Sequence, residues 1–283
     1  FNTTNTQIYF FKMNKQKILL LKKRAFTLRK HVIEMVTEHG KGYVQQGLGA
    51  SDLFSVLFFD ELKLEDAQTD QFKRDRFILS TAHNSAVFHA CLAERGLIPF
   101  DDLKNYCIDG SPLEINVSER LGKYVEATCG SLGQGLSVAQ GMALSAKRNK
   151  SESRFYVILG DGELQEGQTW EAILSAGTWN IANLCLIVDC NGMQVEGDIN
   201  KVISLEPLTE KFISFGWNTI NCNGNDIAEL LSSFKSAKEC KAKPSVILAK
   251  TLVGKGVSFL EGQLSHNLFF PKIVANKALK FLK

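Results

Sequence analysis

Proline is scarce in this sequence, with five among 283 residues, and no stretch is rich enough in Pro or Ser to read as a linker between domains. No run of about 18 or more apolar residues occurs, which excludes a conventional transmembrane helix. Charge of one sign is also lacking. A net charge of +3 is too small to point to nucleic acid. The basic clusters at Lys22, Lys23 and Arg24 and from Lys238 to Lys243 read as solvated helix faces or turns. There is no Cys-x-x-Cys pair and no internal repeat. The seven cysteines are odd in number and several lie within apolar segments, a pattern that suits free thiols in a reducing compartment such as the cytoplasm better than a disulfide framework.

What is present is a globular composition, 45% hydrophobic and 22% charged, long enough to bury a large core. The opening "FNTTNTQIYFFK" shows neither a helical nor a strand period. Residues 1–12 are therefore expected to be a disordered or non-native extension, and 13–283 a single domain. From about Lys15 to His39 the apolar residues recur at threes and fours, as in a helix. "GKGYVQQGLGAS" reads as a glycine-rich loop, with Ser51 or Asp52 capping a helix that follows. "RFILST" reads as a strand, the next segment as a helix, and "SLGQGLSVAQGMALSAKR" as a small-residue helix that needs close packing.

From residue 154 onward the alternation is regular: apolar strands "RFYVILG", "LCLIVD", "WNTINC" and "SVILAKT" are separated by helical segments. Continuous apolar strands alternating with helices imply a parallel sheet covered on both faces. The expected fold is a doubly wound α/β structure with ligands at the carboxyl ends of its strands.

Two of those strands end in polar residues of one kind. Asp161 stands between Gly160 and Gly162 after one strand, and Asn191 follows the next. In a right-handed crossover consecutive strands lie side by side, so both side chains emerge at one sheet edge. Their hard oxygens suit Mg²⁺, and the glycines with the following helix N-terminus suit a diphosphate. A tight turn with a capping Asp is the plain alternative for Gly-Asp-Gly.

The stretch "GDGELQEG…WEA…NLCLIVDCNGMQVEG" resembles the thiamine diphosphate signature in its transketolase version. Three further segments, "EATCGSLGQGLSVAQGMALSAK", "ILSTAHNSAVFHACLAERG" and "LAKTLVGKGVSFLEGQLSHN", resemble transketolase segments in the family's order from about residue 24 to 267. The resemblance implies the diphosphate-binding fold of that family. Asp161, Asn191 and the main-chain carbonyl of Met193 would hold Mg²⁺, with Gly160 and Gly162 against the diphosphate. Gly130 and Leu132 would meet the aminopyrimidine, and His83 and His266 would line the diphosphate end and the substrate channel. Glu166 and Glu171 would join a hydrogen-bond network between paired active sites. Without that resemblance, His83 could merely satisfy backbone groups, Gly130 to Gly135 could serve helix packing, and Glu166 could be a first-turn acid. His31 and His89 carry no motif and read as structural or exposed, and Cys190 as strand-end packing.

The family also has a pyrimidine-binding domain, which supplies the activating glutamate, and a C-terminal domain. The resemblance here covers the first domain alone, which implies a split enzyme of α2β2 type, with a separate C-terminal transketolase subunit. The expected reaction is transfer of a two-carbon ketol unit from a ketose phosphate to an aldose. Tyr43 stands where many relatives have a channel-facing histidine, and Ser111 where they have another, which weakens the expectation of the usual pentose phosphate donors. Other readings remain: a subunit of 1-deoxyxylulose-5-phosphate synthase or 2-oxoacid dehydrogenase type, or a non-catalytic interaction module.

Overall fold

The computed structural model describes residues 3–64, 74–263 and 269–282. The chain opens with two long helices, α1 (Thr3–His39) and α2 (Val44–Val56), the second continuing as a wider helical turn at Leu57–Glu61. Strand β1 (Arg76–Leu79) leads through a short turn at Ala82–Asn84 into α3 (Ser85–Glu94). A largely irregular connection then reaches α4 (Gly135–Arg148), β2 (Phe155–Gly160), a 3₁₀ turn at Asp161–Gln165, α5 (Gly167–Thr178) and β3 (Leu184–Cys190). A two-residue-per-strand hairpin, β4 (Met193–Gln194) and β5 (Gly197–Asp198), precedes α6 (Ile199–Val202) and α7 (Leu208–Ser214). The chain closes with β6 (Asn218–Asn223), α8 (Ile227–Glu239), β7 (Ser245–Lys250) and α9 (Lys272–Phe281).

The five long strands form one parallel sheet in the order β1-β2-β3-β7-β6. Successive side chains on a strand point to opposite faces, and both faces are apolar. Tyr156, Ile158, Cys185, Ile187, Ile247 and Ala249 face a core shared with α1, α2, α3, α8 and α9. Val157, Leu159, Leu186, Val188, Val246 and Leu248 face a second core shared with α4, α5 and α7. This is the doubly wound arrangement expected from the uninterrupted apolar runs. The segments leaving β1 and β7 turn into the first layer, whereas those leaving β2 and β3 turn into the second. A crevice opens where they part, at the carboxyl ends of the strands.

Three sequence expectations are corrected. The glycine-rich stretch is helical from Val44, and Ser51 and Asp52 are not caps but fully enclosed positions inside α2. Glycine is there for proximity: a Cβ on Gly47 would sit 3.2 Å from Val32 Cγ1, and one on Gly49 only 2.9 Å from the Leu252 carbonyl oxygen. Asp52 instead pairs with Arg29 and accepts a bond of 3.0 Å from Asn225 Nδ2. The second correction concerns α1, whose backbone is helical from Thr3, upstream of the expected start near Lys15, so residues 3–12 continue a helix. The small-residue helix begins at Gly135, and the "SLGQ" before it is loop.

Candidate active site

Parallel pairing of β2 with β3 sets Gly160 beside Asp189, so Asp161 and Asn191 emerge together beyond the sheet edge. Asp161 ties the two strand ends directly. One carboxylate oxygen accepts from the Gly192 N–H at 2.7 Å, the other from the Gly162 N–H at 3.0 Å. Asn191 Oδ1 accepts from the Met193 N–H at 3.0 Å. Gly162 is approached so closely that a Cβ would lie 3.0 Å from Gln194 Cβ and 3.9 Å from the Met193 carbonyl oxygen. A side chain at Gly162 would therefore displace the segment carrying that carbonyl.

These groups line a cavity of about 360 Å³. Its walls bring together Gly160, Asp161, Gly162 and Glu166 from the end of β2 with Asn191 and Met193 beyond β3. His83 enters from the turn after β1, and Gly130 and Leu132 from the loop before α4. A Cβ on Gly160 would meet only Thr81 Oγ1, at 4.0 Å, so the missing side chain leaves space. Glu171 stands apart, exposed on α5 in a shallow groove with Gln140, Gln168 and Trp179. His266 lies outside the described residues.

Two acids of the cavity wall carry no signal singled out in the sequence, Glu163 and Asp189. Both are acids almost fully enclosed by protein. Asp189 accepts from Thr251 Oγ1, and the side chains of Asn84 and Asn191 oppose the effect of burial on its carboxyl. The available signal was an acid at the end of an apolar run in "LCLIVDCN", since a strand buried on both faces has no exposed place for it. For Glu163 the signal was weaker, a second acid two residues after Asp161 in a buried turn.

With Asp161 and Glu166 these make four acids, and no Lys or Arg stands among the described residues lining the cavity. Burial pushes the Asp161 carboxyl up to about 7, with the Asp189 charge adding to it and the Gly192 N–H opposing it. Burial raises Glu163 and Asp189 as well. Enclosed carboxylates without a counter-charge are costly, and a hard divalent cation on Asp161, Asn191 and the Met193 carbonyl would remove that cost. Asn84 Oδ1 and Glu163 Oε2 are buried without a hydrogen-bond partner in the structure. The donor set and the space beside Gly160 thus fit a cation carrying an anionic ligand.

Tyr43 is not among the described residues that line the cavity. Its ring packs edge-on against His83, with centroids 4.6 Å apart at an interplanar angle of 76°. Ser111 lies in a separate hollow with Lys41, Asn116 and Arg120, where its hydroxyl oxygen accepts from the Leu113 N–H at 3.1 Å. His89 is buried in α3 and His31 contacts Glu34 and Glu94, so both are structural. All seven cysteines are free, and burial holds the Cys190 thiol well above its ordinary range. No helix among the described residues is long and apolar enough to cross a membrane.

Residues 21–267 match the family model described as transketolase, thiamine diphosphate binding domain. A putative uncharacterized transketolase family protein of Sinorhizobium fredii is 40% identical over 244 residues, covering 86% of this chain and 88% of that protein. The 6-deoxy-6-sulfo-D-fructose transketolase subunit of a Clostridium species is 36% identical, covering 90% and 93%. One of the subunits of apulose-4-phosphate transketolase from Actinobacillus succinogenes is 34% identical, covering 89% and 91%. Among solved structures, transketolase from Campylobacter jejuni superposes with a TM-score of 0.84 at 32% identity over 93% of this chain but only 43% of its own. An acid-lined crevice at the right strand ends, matched along nearly the whole chain by these proteins, leads to one assignment: the chain belongs to the transketolase family and carries its thiamine diphosphate binding domain.

Proposed function

We propose that this chain is the thiamine diphosphate binding subunit of a two-subunit transketolase, working with Mg²⁺ to transfer a two-carbon ketol unit from a ketose phosphate or similarly acidic ketose to an aldose. The observation that carries the reading is the cavity itself. Four acids line it, and among the described residues no cationic side chain does. A diphosphate can be accepted there only with a metal ion between it and the carboxylates.

Asp161, Asn191 and the Met193 carbonyl hold the ion in this reading, and Gly160 and Gly162 let the diphosphate come close to the backbone. Gly130 and Leu132 receive the aminopyrimidine, and His83 and His266 line the approach of the sugar. When bound, thiamine diphosphate supplies a carbon nucleophile and an electron sink, chemistry that the protein positions rather than performs. Asp189 keeps the Asn191 amide oriented, and Tyr43 keeps the His83 ring in place. Glu166 at the cavity rim and Glu171 on α5 face the neighbouring subunit.

The partner subunit is supported by relatives named as subunits that match over about nine-tenths of their length. It supplies the pyrimidine-binding domain and the acid that activates the cofactor, in an α2β2 assembly. The donors after which those relatives are named, 6-deoxy-6-sulfo-D-fructose and apulose 4-phosphate, support a donor outside the common pentose phosphates.

The test is Asp161→Ala in the complex with the complementary subunit. Calorimetric titration should show Mg²⁺-dependent thiamine diphosphate affinity reduced at least about 100-fold, with the circular dichroism spectrum unchanged. Wild-type affinity in the variant would remove the metal assignment.

A further inference from the structure

Glu163 is one of the four acids counted above but holds neither the ion nor the cofactor in that reading, yet it sits at the junction of three chain segments. It belongs to the 3₁₀ turn that begins with Asp161. Its Oε1 accepts from the hydroxyl of Ser80, at the end of β1, and from the Gly133 N–H at 2.8 Å. Ser80 Oγ in turn accepts from the Gly135 N–H at 3.1 Å. The directions of these bonds are fixed. The Gly135 N–H can only donate, so the Ser80 hydroxyl takes that bond on a lone pair and spends its own proton on Glu163. A chain of bonds therefore runs from Gly135 through Ser80 to Glu163, joined there by Gly133, and each bond polarises the next. Ser80 and Glu163 are 1% and 2% exposed, so water does not compete.

The fit leaves no room for a side chain at Gly133 or Gly135. A Cβ on Gly135 would lie 2.5 Å from Ser80 Oγ. Gly133 has φ +85°, and a Cβ there would lie 3.0 Å from Glu166 Cβ. Glycine at both positions is thus what lets the Gly133 N–H reach Glu163 and the Gly135 N–H reach Ser80. The same loop presents Gly130 and Leu132 to the cavity.

We propose that Glu163 and Ser80 form a latch that fixes the loop 130–135, and with it the cavity wall formed by Gly130 and Leu132, to the turn that carries Asp161. Glu163 is a positioning residue, and it acts on the bound ring only through that loop. The part of the proposal that concerns cofactor affinity rests on the function proposed above; the latch itself does not. Because Asp161 and Glu163 share one short turn, the metal donor and the ring-facing loop move as one body.

Hydrogen exchange on the full chain, read by mass spectrometry on peptides spanning 130–136, tests the latch without any ligand. Glu163→Leu removes the acceptor at similar size, and exchange at Gly133 and Gly135 should accelerate roughly 10- to 100-fold, the range set by loss of hydrogen bonds to a charged group. Ser80→Ala, a smaller change that keeps the acid, should accelerate Gly135 with little effect on peptides from α5. Glu163→Gln retains an acceptor oxygen and should accelerate exchange by less than about tenfold, clearly below Glu163→Leu. Wild-type exchange in a folded Glu163→Leu chain would overturn the proposal. So would Glu163→Gln exchanging as fast as Glu163→Leu, because any change at a buried site would then suffice. In the complex with the complementary subunit, thiamine diphosphate affinity should follow the same order, with Glu163→Gln weakened less than Glu163→Leu. Failure of the wild type to bind thiamine diphosphate would refute the proposed function and leave the exchange comparison to decide the latch.

Discussion

His89 is fully enclosed in α3, with Nε2 donating to the Glu114 carbonyl at 3.1 Å and Nδ1 without a partner. Burial lowers its pKa to about 4, so the folded protein holds it neutral. In the unfolded chain it titrates near the ordinary value of about 6.5. Between those values the unfolded chain takes up a proton that the folded protein refuses, so stability falls as pH falls below about 6.5 and the loss levels off near 4. From pH 7 to pH 5 this amounts to about 2 kcal/mol. Buried carboxyls such as Asp161 and Asp75, whose pKa values burial raises, titrate with the opposite sign, so the comparison must be between variants. Urea denaturation of His89→Gln should show a loss between pH 7 and 5 that is smaller than the wild-type loss by that amount; parallel curves would show that His89 is not the group concerned. Tyr43, expected at the position of a channel-facing histidine, packs its ring edge-on against His83.

Elements meet here by direct backbone contact at several points, most closely at Gly177. A Cβ there would fall 1.8 Å from the Phe215 carbonyl oxygen and 3.4 Å from Trp217 Cδ1. Helix α5 therefore rests on the turn between α7 and β6, an approach reinforced by the Trp217 Nε1–H bond of 2.8 Å to the Ile173 carbonyl. Since the obstacle is backbone, Gly177→Ala should cost about 3 kcal/mol or more, seen as a lower urea midpoint with an unchanged slope. A shift of a few tenths would mean that the turn yields. The same physics explains which elements were legible in advance. Strands buried on both faces appear as uninterrupted apolar runs, so β2, β3 and β7 were readable to within a residue or two, and with them the meeting of Asp161 and Asn191. Glycine misled in α2, where its propensity argues for a loop but its absent side chain serves contact with Val32 and Leu252. Glu163 and Asp189 escaped notice because their partners are remote in sequence. Ser80 lies 83 residues before Glu163, and Thr251 lies 62 after Asp189.

Across the whole molecule, the parallel sheet gathers polar groups at one edge while both faces stay apolar. The crevice that results holds acids, glycines and histidine but no described Lys or Arg, the lining on which the proposed role of Mg²⁺ rests. Exposed apolar side chains stand close by. Val195 on the cavity wall and Ile203, whose carbonyl accepts from Gln165 at 3.0 Å, are 58% and 60% exposed. Apolar surface beside an open site is what a second subunit would cover.

The most direct measurement is reconstitution. The chain is mixed with the complementary C-terminal subunit, thiamine diphosphate and Mg²⁺. Ketol transfer to ribose 5-phosphate is then followed from xylulose 5-phosphate, apulose 4-phosphate and 6-deoxy-6-sulfo-D-fructose. Transfer from at least one donor by the mixture, and none by either protein on its own, is the predicted result. Transfer by the isolated chain would contradict the account, because the acid that activates the cofactor would then have to lie within this subunit.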